Sequence, residues 1–115
     1  MKDPRQSSFA VLVSLATSLD KNNVNSVRTT LNKALESGHH RLIIDLNATE
    51  HIDDDGLTLL VDIALKVKAQ YGTLALVGVR PDIHLKIEER ESYELFRYFV
   101  EVESALNALQ ARGLS

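Results

Sequence analysis

Several residue types and patterns are missing from this chain of 115 residues. It contains no cysteine, which excludes disulfide bonds, thiol nucleophiles and cysteine metal sites. No apolar stretch approaches the ~20 residues that a helix needs to cross a bilayer. Residues 1–8 are polar and lack the apolar centre of a signal peptide. From these absences we expect a cytoplasmic protein that is not inserted in a membrane.

Basic residues are neither in excess nor clustered. The chain has 13 Lys and Arg against 16 Asp and Glu, for a net charge of -3. Because nucleic-acid recognition begins with a positively charged surface, this balance argues against a nucleic-acid partner. The hydrophobic content of 44% suffices for a core, and no internal repeat is visible. We therefore predict one domain over residues 9–112, preceded by a flexible tail of residues 1–8.

Three consecutive carboxylates, Asp53, Asp54 and Asp55, stand between an apolar run and a helical pattern. Residues 41–46 are largely β-branched and apolar, which is typical of a strand buried on both faces. From residue 57 to 71, apolar residues recur at steps of three and four, which predicts a helix with one apolar side. Capping of that helix needs only one Asp. Three adjacent like charges therefore need a further explanation.

The rest of the chain alternates between strand and helix patterns. Predicted strands cover residues 9–15, 42–46, 73–79 and 95–100, a turn covers 19–23 and a loop covers 47–53. Predicted helices cover residues 23–36 and 57–71, a segment opened by Pro81, and a last segment that ends at Gly113. This order predicts an α/β fold with a mixed, mainly parallel sheet of roughly four to five strands, packed by about four helices. The aspartates lie on the functional edge of such folds, where loops leave the carboxyl ends of parallel strands.

The residues around the aspartates resemble the STAS domain of bacterial anti-sigma factor antagonists. The run Leu42-Ile43-Ile44-Asp45-Leu46, followed by Ile52-Asp53 and Gly56-Leu57, is similar to that family's apolar strand ending in Asp-Leu, short loop and Ile-Asp-Ser-Ser-Gly-Leu motif. Leu19-Asp20 with Asn23-Val24 is similar to the turn before the family's first helix. The resemblance covers nearly the whole domain. It implies a STAS-like fold and a non-enzymatic, protein-binding regulator of transcription in a bacterial cell.

The chain departs from that family at the two serines of the motif, where it has Asp54 and Asp55. In family members that act as partner switches, the second Ser is phosphorylated by a kinase that is also the anti-sigma factor, and this breaks their complex. Asp55 has no hydroxyl, so that phosphorylation is excluded. Three interpretations of Asp55 remain open: a helix N-cap, a partial mimic of the phosphorylated state, or an acidic contact for a cationic partner of another kind.

A partner-binding surface follows from the resemblance and from the helical pattern. The surface combines the turn before the first helix, the aspartate element and the next helix, and its residues are Asp20, Asn22, Asn23, Asp53, Asp54, Asp55, Gly56, Leu57, Thr58, Leu59 and Ile63. Leu59 and Ile63 lie outside the main apolar stripe, so they belong either to a more deeply buried core or to an exposed apolar patch beside the acids. The expected partner is an anti-sigma factor or a kinase-like regulatory protein, and a homodimer is left open.

The sequence gives little support for a catalytic site or a metal site. Consecutive carboxylates on a turn diverge, so a divalent cation would need help from Asp20 or Asp45. His39 and His40 have no nearby metal ligands in sequence, and no Ser/His/Asp grouping indicates a catalytic triad. We therefore expect no enzyme activity, no metal and no cofactor.

Two other functions stay open. The first is a STAS subunit that docks on a transporter ATPase or sits in a signalling assembly. The second is a small-molecule sensor, whose pocket would be lined by Tyr93, Phe96, Tyr98 and Phe99.

Overall fold

The computed structural model describes residues 10–111. The predicted tail at residues 1–8, the predicted strand start at Phe9 and the predicted helix end at Gly113 lie outside the described residues. The elements, in chain order, are β1 (Val11–Ser14), β2 (Ser18–Leu19), α1 (Val24–Glu36), β3 (Arg41–Asp45), β4 (His51–Ile52), α2 (Asp54–Ala69), β5 (Thr73–Val77), α3 (Pro81–Glu89), β6 (Arg97–Phe99) and α4 (Val102–Ala111). A short 3-10 helix at Tyr93–Leu95 precedes β6.

Four strands form one sheet in the order β1-β3-β5-β6. Each neighbouring pair is parallel, and Leu12, Ile43, Ala75 and Arg97 lie side by side across it. Parallel neighbours need a crossover connection, which the intervening helices supply. The predicted α/β fold is confirmed, and the last strand, β6, lies at an edge of the sheet. The sheet is not mixed, because every strand pair within residues 10–111 is parallel.

The sheet separates two apolar cores. Leu42 and Ile44 of β3 face the larger core, which also contains the inner sides of α1, α2 and α3. Ile43, between them, faces the smaller core with Ala105 and Leu109 of α4. Since successive strand residues point to opposite faces, burial of all three explains why this strand is a continuous apolar run and does not alternate.

A second, two-stranded parallel sheet joins β2 to β4, with Ser18 opposite His51 and Leu19 opposite Ile52. The sequence patterns predicted a turn and a loop at these places, because a strand of two residues has no measurable periodicity. Thr49 precedes β4, is fully buried and donates its hydroxyl to the Ala16 carbonyl at 2.7 Å. This small sheet sets the position of the chain where it enters α2.

Between residues 10 and 111, no helix is both long and apolar enough to cross a membrane.

Candidate functional site

Helix α2 begins directly after β4, and Asp53 is its N-cap. The backbone of Asp53 is extended (φ -90°, ψ -175°), and its Oδ1 accepts a hydrogen bond from the Gly56 amide at 2.9 Å. Asp54 and Asp55 then form the exposed first turn. The interpretation of Asp55 as the N-cap is therefore wrong, because the helix begins at Asp54 and not at Leu57. Asp54 and Asp55 still stabilise the start of the helix, because their negative charges lie at the positive end of the helix dipole.

The second carboxylate oxygen of Asp53 connects α2 to the turn before α1. Asp53 Oδ2 accepts a hydrogen bond from the Lys21 amide at 3.1 Å. The pKa of Asp53 lies below its usual value, chiefly because the Gly56 amide donates to the charged form. The amides of Lys21 and Asp55 act in the same direction, whereas partial burial opposes the shift. One ionised carboxylate thus holds two chain segments together.

Side chains also fix the turn itself. Asp20 Oδ1 accepts from the Asn22 amide at 2.9 Å, and Asp20 Oδ2 accepts from the Ser18 hydroxyl at 3.1 Å. Asn23 accepts from the Asp20 amide at 2.9 Å and donates to the Ser18 carbonyl at 2.8 Å. The predicted site residues Asp20 and Asn23 are therefore occupied in shaping the turn. Lys21 and Asn22 are its exposed members.

Gly56 lies where α2 approaches β2 most closely. A Cβ added at this position would overlap the Leu19 carbonyl oxygen and would lie 2.9 Å from Ile52 Cγ2. Leu57, next in sequence, is 3% exposed and belongs to the larger core. Gly56 and Leu57 are thus structural members of the element. The partner-accessible members are Asp54, Asp55 and Thr58.

Leu59 and Ile63 are both fully buried in the larger core. The hypothesis that they form an exposed apolar patch is wrong, and so is their assignment as partner contacts. Helix α2 packs on α1 and β5 and also contacts β4 and the 3-10 helix. It therefore buries more of its surface than a helix that packs against the protein on one side only. The large hydrophobic residue that α2 exposes is Leu65, which is 51% exposed.

Two basic side chains, one in α3 and one just after it, reach the start of α2, and neither contact was predicted from the sequence. Lys86 Nζ donates to the Ile52 carbonyl at 3.1 Å. Arg90, one residue beyond α3, donates to Thr58 Oγ1 at 2.9 Å and to the Asp54 carbonyl at 3.1 Å. No sequence pattern could indicate these contacts, because they join residues more than thirty positions apart.

The remaining candidate acid, Asp45, is satisfied at the end of β3. Its Oδ1 accepts from the Asn47 amide at 2.9 Å and from Asn47 Nδ2 at 2.7 Å, as expected for a carboxylate tied to nearby donors. Among the residues that the structure describes, no group of three or more His, Asp or Glu side chains is arranged to hold a metal ion. The exposed residues Asp54, Asp55 and Thr58 at the start of α2 form a surface that we call the acidic corner.

The family model of the STAS domain matches residues 2–105. The chain belongs to the STAS domain family. No curated protein sequence matches the chain.

Solved structures agree with the STAS fold. A Ser-to-Glu variant of RsbS from Moorella thermoacetica superposes with a TM-score of 0.78 at 17% identity, covering 92% of each chain. The Bacillus cell fate determinant SpoIIAA in its phosphorylated form gives a TM-score of 0.73 at 19% identity, covering 87% of this chain and 90% of that one. The murine anion transporter Slc26a9 gives 0.74 at 19% identity, over 89% of this chain and 18% of the transporter.

This STAS domain also has an aromatic cluster near β6, formed by His84, Tyr93 and Tyr98. The rings of Tyr93 and Tyr98 stack at 4.3 Å between centroids, and His84 lies 5.0 Å from Tyr98. The Tyr98 hydroxyl donates to the Tyr93 carbonyl at 2.8 Å, and burial, aided by Tyr93 and Glu88, raises its pKa well above the usual range. This packing leaves His84 only partly exposed.

A shallow cleft of about 290 Å³ adjoins the aromatic cluster and is lined by Asn47, Gly78, Val79, His84, Tyr98, Phe99 and Val100. Tyr98 and Phe99 were among the four aromatic residues predicted to line a ligand pocket. Phe96 instead lies in the larger core at 6% exposure, and Tyr93 stacks on Tyr98 and does not line this cleft. The cleft and the acidic corner are thus separate features of the same domain.

Proposed function

We propose that this STAS domain is a non-enzymatic, protein-binding regulatory module that acts like an anti-sigma factor antagonist. Its docking surface is the acidic corner, formed by Asp54, Asp55 and Thr58, together with the exposed turn at Lys21 and Asn22. The observation that carries this proposal is the presentation of two adjacent, solvent-exposed carboxylates at the start of α2 by a backbone that Asp53 holds in place. Such a module would act in the bacterial cytoplasm.

Asp54 and Asp55 occupy the positions of the family's two serines. An Asp carries one negative charge, whereas a phosphate carries about two and offers three acceptor oxygens. Asp55 therefore mimics a phosphorylated Ser only in part, and it cannot be phosphorylated as a Ser is. The domain would then be insulated from kinase control at this position, and the abundance of its partner would set how much complex forms.

Charge indicates the chemistry of the partner. The adjacent carboxylates favour a partner surface with Lys or Arg side chains, since complementary potentials speed association and fix orientation. An anti-sigma factor or another kinase-like regulatory protein with such a surface fits the proposal. SpoIIAA, whose STAS fold this chain shares, is itself an anti-sigma factor antagonist.

The test compares two pairs of acids that each lie at the start of a helix. Asp54→Asn with Asp55→Asn removes the charge of the acidic corner. Glu101→Gln with Glu103→Gln removes the same charge at the start of α4, where both residues are exposed. The partner captured by the wild-type domain is purified, and its affinity for each double variant is measured by calorimetry. We expect the Asp variant to bind roughly tenfold or more weakly and the Glu variant to bind as wild type does. Equal weakening by both variants would refute the acidic corner as the docking surface.

A separate experiment tests whether Asp55 prevents phosphorylation at this position. The partner is incubated with labelled ATP and either the wild-type domain or Asp55→Ser. A kinase-like partner should transfer phosphate to the serine variant and not to the wild type. Phosphate on the wild-type chain, for example at Thr58, would contradict the proposed insulation.

The likeness to the STAS segment of an anion transporter favours a second candidate function. In that case the domain would dock on a transport protein, such as a transporter ATPase. The same capture separates the candidates, because mass spectrometry distinguishes a transporter subunit from a kinase-like regulator. If the domain instead captures no protein but carries a metabolite in the cleft beside the aromatic cluster, a small-molecule sensor is indicated.

A further inference from the structure

The guanidinium of Arg90 is hydrogen-bonded to the first turn of α2. Its Nη1 donates to Thr58 Oγ1 at 2.9 Å, and its Nη2 donates to the Asp54 carbonyl at 3.1 Å. Nη2 also lies 3.5 Å from Asp54 Oδ1, and the side chain of Arg90 is 33% exposed. The two hydrogen bonds use the planar fork of the guanidinium, which a lysine ammonium cannot reproduce. Arg90 therefore joins α3 to the turn that carries the acidic corner.

The three consecutive aspartates have different partners as a result. Asp53 accepts from two backbone amides, and Asp54 pairs with Arg90. Within residues 10–111, Asp55 is the one of the three whose carboxylate has no hydrogen-bond or ion-pair partner. Adjacent helix residues point about 100° apart, so the positive charge that offsets Asp54 does not offset Asp55 to the same degree.

We propose that Arg90 determines the specificity of the acidic corner by making Asp55, and not Asp54, the carboxylate that a partner's cation contacts. This inference rests on the proposed function. A Lys or Arg approaching Asp54 meets the positive charge of Arg90 close by, since Arg90 lies 3.5 Å from that carboxylate. At Asp55 the same cation meets a carboxylate that has no ion-pair partner within residues 10–111. Arg90 thus removes one of two nearly equivalent docking positions.

The first test uses the purified partner and measures its dissociation constant for single and double variants. With Arg90 present, Asp55→Asn should weaken binding about tenfold, and Asp54→Asn should weaken it no more than about twofold. In an Arg90→Ala background, the effect of Asp54→Asn should grow to about that of Asp55→Asn. Equal effects of the two aspartates with Arg90 present, or no change after its removal, would overturn the proposal.

The second test needs no partner. The Thr58 amide donates to the Asp54 carbonyl in the helical pattern, and Arg90 donates to the same carbonyl. We expect Arg90→Ala to accelerate hydrogen exchange at the Thr58 amide several-fold, and Arg90→Lys to act in part. Arg80→Ala, which removes an exposed arginine from the opposite end of α3, should leave this rate unchanged. An unchanged exchange rate in Arg90→Ala would overturn the claim that Arg90 stabilises this turn.

The two tests separate this inference from the proposed function. If exchange responds to Arg90 but neither aspartate affects partner binding, the docking surface itself is wrong, and the specificity assigned to Arg90 is wrong with it. If both aspartates affect binding equally, the docking surface stands and only the role of Arg90 is overturned.

Discussion

The first turn of α2 and the inner face of the same helix are held in place by different forces. At the first turn, exposed carboxylates stand on a backbone fixed by hydrogen bonds that Asp53 accepts and that Lys86 and Arg90 donate. On the inner face, Leu59 and Ile63 are fully buried and make no polar contact. Packing dominates stability, whereas a single exposed hydrogen bond contributes little. The exposed side chains of the first turn can therefore be substituted without unfolding the domain.

The largest expected effect comes from placing a charge on the inner face. Ile63→Lys should cost at least about 4 kcal/mol of the free energy of unfolding, because it buries an unpaired ammonium and removes a packed side chain. We expect urea denaturation to show a largely unfolded variant. Leu65→Lys, on the exposed side of the same helix, should change stability by less than about 0.5 kcal/mol. A stable Ile63→Lys would show that this face is not core.

Gly56 lies at the junction of the two regions, and Gly56→Ala should have the next largest effect. Its new methyl group would overlap the Leu19 carbonyl oxygen, so β2 and α2 must move apart. Overpacking of this kind costs about 1–3 kcal/mol, measurable by thermal or urea unfolding. A variant as stable as wild type would mean that the first turn can shift freely on the core, which contradicts a rigid acidic corner.

Asp53 supports the first turn through hydrogen bonds, so a smaller effect is expected. Asp53→Ala should lower the melting temperature by a few degrees, whereas Asp53→Asn retains an oxygen acceptor and should lower it less. The pKa of Asp53 is depressed in the folded state. Its stabilising contribution is thus present above the unfolded pKa of about 4 and is lost as the pH falls through the folded pKa. Melting curves from pH 7 to 2 should show a weaker acid dependence for Asp53→Asn, and an identical dependence would contradict this role.

Asp55→Ser should have the smallest effect on stability, within about 0.5 kcal/mol, because the side chain is exposed. Its effect should appear in partner binding alone. Circular dichroism and urea denaturation would check this, and a marked loss of stability would show that Asp55 supports the fold.

Strong local signals made the fold predictable. The buried runs at β3 and β5 and the helical periodicity of α1 and α2 were all visible in the sequence, and Gly38, shortly after α1, has a left-handed conformation (φ 88°). The two-residue strands β2 and β4 were missed because they have no periodicity. Leu59 and Ile63 could not be assigned to core or surface, since that choice depends on how many neighbours pack around the helix.

The sequence by itself determined the α/β order, the position of three aspartates at a helix start and the loss of the phosphorylatable hydroxyl at Asp55, because these follow from local patterns and residue types. Only the tertiary structure decided which aspartate caps the helix, which one pairs with Arg90 and which one has no partner within residues 10–111. These roles depend on distances between segments that are far apart in the chain. A one-dimensional pattern does not contain such distances, and they arise only when the sheet brings α2, α3 and the turn before α1 to one edge.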